Sequence, residues 1–349
     1  MLSTIFFDIF SASNEDDNQK LRRRFMKKNY LYIVSLSIIF LFITACGEKT
    51  TVPEEGAVSM DAALKLLPMD SKAVFYVDLK KVMSLESVNQ ALKSDKNYQE
   101  MQEFINKTGI NPQEDIHYIL GSLTSMEGDN QEGVIIANLN YNKESMINLI
   151  KEESETEILE SEYSGHTIYT TEEAEQMGSF CFLDENNVLI GNDSSIQSVI
   201  DILKNDSANV LENEEMSAMI QQANKDALAW GTFLIPSETV KEATSSNPML
   251  ENLGSVKAAA MFFDYKNESY IGEIKLMSAD PEKNKQVAEL LNGLKAFGSM
   301  GAAENPALGD LMNKIEISSG DEFVKIYANI PETLIDQLKK ASATPETEK

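Results

Sequence analysis

The chain is poor in the residues that most often carry chemistry: its 349 positions hold two cysteines, two histidines and one tryptophan. Cys46 and Cys181 are too few to build a disulfide framework, so the fold must rest on an ordinary core. With 42% apolar residues the chain is long enough to have one. His117 and His166 lie 49 positions apart, and neither sits in an HExxH or His-x-His context, so the common zinc signatures are missing. There is no GxSxG elbow, and no serine stands three places before a lysine, which removes the familiar serine-hydrolase signatures. No GxGxxG occurs. The glycine-rich stretch GSMGAAENPALG, residues 298–309, lacks the Gly-Lys-Ser/Thr of a phosphate cradle and reads as a loop. No cofactor or metal is implied, and the balance leans away from an enzyme.

Basic side chains are also scarce, 30 against 56 acidic. Residues 1–45 hold six basic and four acidic groups, which leaves 24 against 52 from Cys46 onward, a net of −28. Such a surface repels phosphate backbones and anionic headgroups, which argues against nucleic acid as a partner and against electrostatic adhesion to a membrane.

Long apolar runs are absent except for one, YLYIVSLSIIFLFITA, residues 30–45. Its 16 positions fall short of the roughly 20 that a helix needs to cross a bilayer core. Arg22, Arg23, Arg24, Lys27 and Lys28 precede it, and small Thr44 and Ala45 close it directly before Cys46. A positive region, a short apolar region and a small-residue end are the parts of an export signal. Ile43-Thr44-Ala45-Cys46 resembles the lipobox of bacterial lipoprotein precursors, and the likeness covers residues 26–47. It implies cleavage between Ala45 and Cys46, diacylglycerol on the Cys46 thiol, and acyl chains that hold the chain on a membrane. Gly47, in place of the aspartate that retains enteric lipoproteins in the inner membrane, implies an outer membrane where the host has one. With Cys46 acylated, no internal disulfide can form. The acidic cluster Glu15-Asp16-Asp17 does not fit such a signal, so residues 1–25 are expected to be an over-extended reading frame with Met26 as the start.

After the signal, residues 46–59 read as a flexible tether and residues 341–349 as a frayed tail. Between them a first unit, residues 60–205, and a second, residues 206–340, each follow the order strand, helix, hairpin, helix, hairpin, helix. The expected fold class is α+β, with mainly antiparallel sheets, helices packed on them, and a tandem duplication of the unit. Among the expected elements are a strand at 73–79, a hairpin at 179–191 turning at Asp184 to Asn187, and a helix at 193–205 capped by Asp193 or Ser194. Residues 124–131 are expected to be a loop. Leu67-Pro68-Met69-Asp70-Ser71 running into Ala73-Val74-Phe75 resembles the entry to the body of uncharacterised Bacteroidetes-type envelope lipoproteins, a resemblance that carries no activity with it.

Within the body, His117 and His166 read as structural histidines, and Cys181 and Trp230 as strand residues of the core. Met300 and Met312 read as core filling. Glu127, Asp129 and Glu132 lack the Asp-x-Asp-x-Asp-Gly pattern of a calcium loop and read as a solvated turn. The expectation is therefore a lipid-anchored, non-catalytic protein of the bacterial envelope that binds an envelope protein or glycan. Two alternatives stand beside it: a carrier of a lipid or other apolar ligand, and a hydrolase of unfamiliar type working through carboxylates.

Overall fold

A computed structural model describes residues 59–343, except for 93–94, 128–129, 154–156, 172–177, 206, 238–239, 241–247 and 301–305. The Ser59 hydroxyl accepts from the Ala62 N–H and so caps α1 (Met60–Leu64). The turn at Pro68 to Ser71, tightened by the Ser71 hydroxyl donating to the Pro68 carbonyl at 2.5 Å, feeds β1 (Ala73–Val77). Asp78 caps α2 (Leu79–Met83) by accepting from Lys81 N at 2.9 Å. Helices α3 (Glu86–Leu92) and α4 (Asp95–Thr108) follow, and Gly109 at φ 74° stops α4 in the left-handed conformation that glycine adopts without a Cβ clash. The short α5 (Pro112–Asp115) then leads into the long hairpin of β2 (Ile116–Glu127) and β3 (Asn130–Leu139). Here the expected loop is corrected: both strands continue until Glu127 faces Asn130, because Ser125–Glu132 and Met126–Gln131 still pair.

Helix α6 (Lys143–Glu153) precedes the hairpin of β4 (Ile158–Tyr163) and β5 (His166–Thr171). That hairpin turns on Ser164 and Gly165, at φ 52° and 83°, the left-handed pair of a two-residue type I′ turn. Strands β6 (Ser179–Phe182) and β7 (Asn187–Gly191) lead to α7 (Asp193–Leu203). The cap of α7 is Asn192, not Asp193 or Ser194, and Asp193 is already helical. The second segment contains α8 (Glu214–Gln222), β8 (Ala229–Leu234), β9 (Ala258–Lys266), β10 (Ser269–Met277), α9 (Pro281–Met300), α10 (Pro306–Asn313), β11 (Ile315–Ser319), β12 (Phe323–Pro331) and α11 (Glu332–Ala343). Among the described residues no helix is long and apolar enough to cross a membrane.

Among the described residues twelve strands join one sheet in the order β11-β12-β10-β9-β8-β1-β2-β3-β7-β6-β5-β4, and every neighbouring pair is antiparallel. The fold is α+β. Strand order repeats about the centre: β1-β2-β3-β7-β6 on one side matches β8-β9-β10-β12-β11 on the other. The first segment alone adds the β4–β5 hairpin beyond β6. The halves meet where β1 pairs β8, with Phe75 opposite Gly231 in the middle of the pairing.

Helices cover both faces. On one face α1, α7 and α8 bury Leu64, Ile196, Val199, Ile200, Met216 and Ile220 against Val74, Leu120, Ile136, Ile168, Leu189 and Trp230. On the other, α4 and α6 pack against Tyr169, Phe180, Phe182 and Val188, while α9 sets Val287 and Ala288 on Val324. Each fully buried aliphatic side chain contributes about 1.5–3 kcal/mol relative to exposure.

Candidate functional site

Cys46, Ala45 and the residues of the lipobox lie outside the described residues, as does Asp129. Where the structure does place the residues singled out from sequence, it scatters them. Cys181 is fully buried in β6, and burial pushes its thiol up to about 11, the direction that makes a thiol inert at neutral pH. Trp230 in β8 is 2% exposed and stacks on Tyr76 of β1 at 6.0 Å, which in turn meets Tyr118 of β2 at 5.6 Å. This aromatic row crosses the joint between the halves. Burial pushes the Tyr118 hydroxyl up to about 12 and raises that of Tyr76 further. Met312 is half-buried on α10.

His117 lies at a bulge. The β2–β3 register passes from Ile116–Leu139 to Tyr118–Asn138, so His117 is the extra residue on its strand. Its Nδ1 lies 2.8 Å from Asn138 Oδ1, Asn138 Nδ2 donates to Asn187 Oδ1 at 2.9 Å, and Asn187 Nδ2 donates to Asp184 Oδ2 at 2.8 Å. Asp184 Oδ1 also accepts from the Asn186 and Asn187 N–H groups and so fixes the β6–β7 turn. This chain ties three strands together at one end of the sheet. His166 is different: its Nδ1 is buried and has no hydrogen-bond partner among the described residues.

A second polar cluster docks α7. Asp193 Oδ1 accepts from the Thr170 hydroxyl at 3.1 Å and from that of Ser179, while the two hydroxyls lie 3.0 Å apart. Asn192 accepts from Gly133 N at 3.1 Å and from the Ser195 hydroxyl at 2.7 Å. No signal in the sequence points to either cluster, because the contacts that join their elements reach across as many as 49 and 59 positions. In both clusters the carboxylates and hydroxyls are engaged in holding strands and a helix. Among the described residues no group of three or more His, Cys, Asp or Glu side chains could hold a metal ion.

The two edges of the sheet differ, and this difference marks the candidate site. At β11 the outward carbonyls are occupied: Lys295 Nζ of α9 donates to Ile315 O at 2.5 Å and Asn292 Nδ2 to Ile317 O at 3.4 Å. At β4, Leu159, Glu160, Ser161 and Glu162 are all exposed, Leu159 by 49%. A shallow groove of about 540 Å³, lined by Lys151, Glu157, Ile158, Leu159 and Glu160, runs along this edge. It is open and largely charged, unlike the enclosed apolar cavity that a lipid carrier needs. Strand β4 was not foreseen from sequence, since ILESEY has too few apolar residues to stand out as a strand.

Comparison with solved structures finds TP0453. Its crystal form III has a TM-score of 0.43 at 11% identity over 79% of this chain and 97% of that one, and its crystal form IV has 0.41 at 10% over 80% and 96%. No curated protein matches the chain. A family model does match, over residues 31–288, and its description is "Protein of unknown function (DUF3352)". The chain belongs to that family.

Proposed function

We propose that this chain is a lipoprotein of a bacterial envelope, held on a membrane by acyl chains on Cys46, whose α+β body binds another envelope component rather than catalysing a reaction. One observation carries the reading: a positive region, a short apolar region, two small residues and a cysteine follow one another in order at residues 22–46. Several acyl chains, each contributing about 0.8 kcal/mol per buried CH₂, hold a protein on a bilayer without a spanning helix. Gly47 directs the protein to the outer membrane of a host that has one. The engagement of Asp184 and Asp193 in strand and helix docking supports a structural rather than a chemical use of the body's polar groups.

Mass spectrometry of the C-terminally tagged protein, extracted in mild detergent from its own host, tests the anchor. The expected mass is that of a chain beginning at acylated Cys46, and Cys46→Ala should yield an unacylated chain that retains its signal. A wild-type mass that keeps the residues before Cys46 would remove the lipoprotein reading.

A further inference from the structure

We infer that the outer edge of β4, beside which no strand of the described residues lies, is a docking strip for an extended basic segment of a partner protein, which adds to the sheet as a further antiparallel strand. The inference deepens the reading of the body as a binding module and does not depend on acylation at Cys46.

The backbone geometry comes first. Thr171 N donates to Gly178 O at 3.2 Å, toward the β6 side. Strand alternation then gives Thr167, Tyr169 and Thr171 to β6, and His166, Ile168 and Thr170 to β4. The β4 partners of that second set are Tyr163, Ser161 and Leu159. The N–H and C=O groups of Ile158, Glu160 and Glu162 therefore point away from β5, at a spacing of about 7 Å, the repeat that an added strand matches. On β11 the equivalent groups meet the side chains of α9. Among the described residues one edge of the sheet is closed and the other has no strand beside it.

Charge selects the occupant. Glu160 and Glu162 share one face of β4, with Glu157 just before the strand, and Lys151 faces Glu160 only across 3.8 Å between exposed groups, a pair too screened to neutralise the strip. A second copy of the chain is disfavoured. In the antiparallel register that uses all three outward residues, Glu160 would stand opposite Glu160 of that copy, and like charges directly opposite destabilise a pair. A segment with Lys or Arg at alternate positions sets its cations opposite Glu160 and Glu162. Its intervening residues fall on the face of exposed Leu159, so they are apolar. Glutamates on an edge also guard against self-pairing, and here they do so without obstructing a basic strand.

The test uses the full chain purified in nonionic detergent and a fluorescein-labelled octapeptide of alternating Lys and Val, read by anisotropy at 50 and 300 mM NaCl. Saturable binding that weakens with salt is expected. Glu160→Pro should lower affinity at least tenfold while leaving the far-UV spectrum unchanged, because the N–H it removes points away from β5. The double variant Glu160→Lys/Glu162→Lys should lose the Lys-Val peptide and gain a Glu-Val one, and it serves as the control should the proline variant fold poorly. A peptide of the same charge with proline in place of valine should not bind. Absence of saturable binding, or equal binding by Glu160→Pro or by the proline peptide, would overturn the inference. So would sedimentation showing a dimer that Glu160→Pro abolishes. Failure here leaves the acylated mass at Cys46 intact, and loss of that mass leaves the peptide result intact.

Discussion

Asn138 is fully buried between two other polar side chains, receiving one bond from the bulge and passing one to β7. A buried polar group left without its partner costs about 1–3 kcal/mol, whereas a satisfied one contributes about 1. Asn138→Leu strands the Oδ1 of Asn187 inside the sheet, while half-buried His117 can still reach water. The expected loss is about 2–3 kcal/mol, read as a lower urea midpoint at unchanged slope; a loss under about 0.5 kcal/mol would mean that water already serves this end of the sheet. At this scale the sequence was informative where a residue's own neighbourhood decides its fate. Cys181 in SFCF and Trp230 in AWGTF stand among apolar strand residues, and both are core. It was silent where the partner is distant: nothing near His117 announces an asparagine 21 positions away.

Hairpins make the case at the level of elements. The β9–β10 turn places Asn267 and Glu268 at φ 52° and 57°, so both central residues are left-handed. Asparagine tolerates that conformation, but a glutamate Cβ is strained there, and Asn-Gly is the pair such a turn prefers. Glu268→Gly should stabilise the chain by about 0.5–1 kcal/mol, a rise of about 2 °C in thermal midpoint, since the Glu268 carbonyl that accepts from Glu332 N at 2.9 Å is retained. A lower midpoint would show that the Glu268 side chain makes a contact worth more than its strain. Strands buried on both sides, such as NVLIG and AVFYV, were legible from β-branched and aromatic content. Strand β4 was not, because an edge strand needs only one partner and can carry two glutamates and a serine in six positions. The same freedom leaves its outer edge without a neighbouring strand among the described residues.

At the scale of the whole molecule the question is whether the repeated strand order makes two domains or one. Order of elements was readable along the chain, but the joining of both segments into a single sheet was not. That depends on β1 pairing β8 across more than 150 positions, and no local pattern encodes such a register. The packing favours one cooperative body. Val210, Met216, Ile220 and Trp230, all beyond residue 206, share a core with Leu64, Val74, Ile136 and Ile196. Trp230 spans the joint by stacking on Tyr76 and pairing with Phe262. Trp230→Ala removes that bridge and leaves a cavity, at a cost of about 3–5 kcal/mol. If the sheet unfolds as a unit, native-state hydrogen exchange should show equal loss of protection in β3, on one side of the joint, and in β12, on the other. Protection lost in one segment and kept in the other would instead make the halves independent domains joined edge to edge, and the repeat would then be one of folding units as well as of strand order.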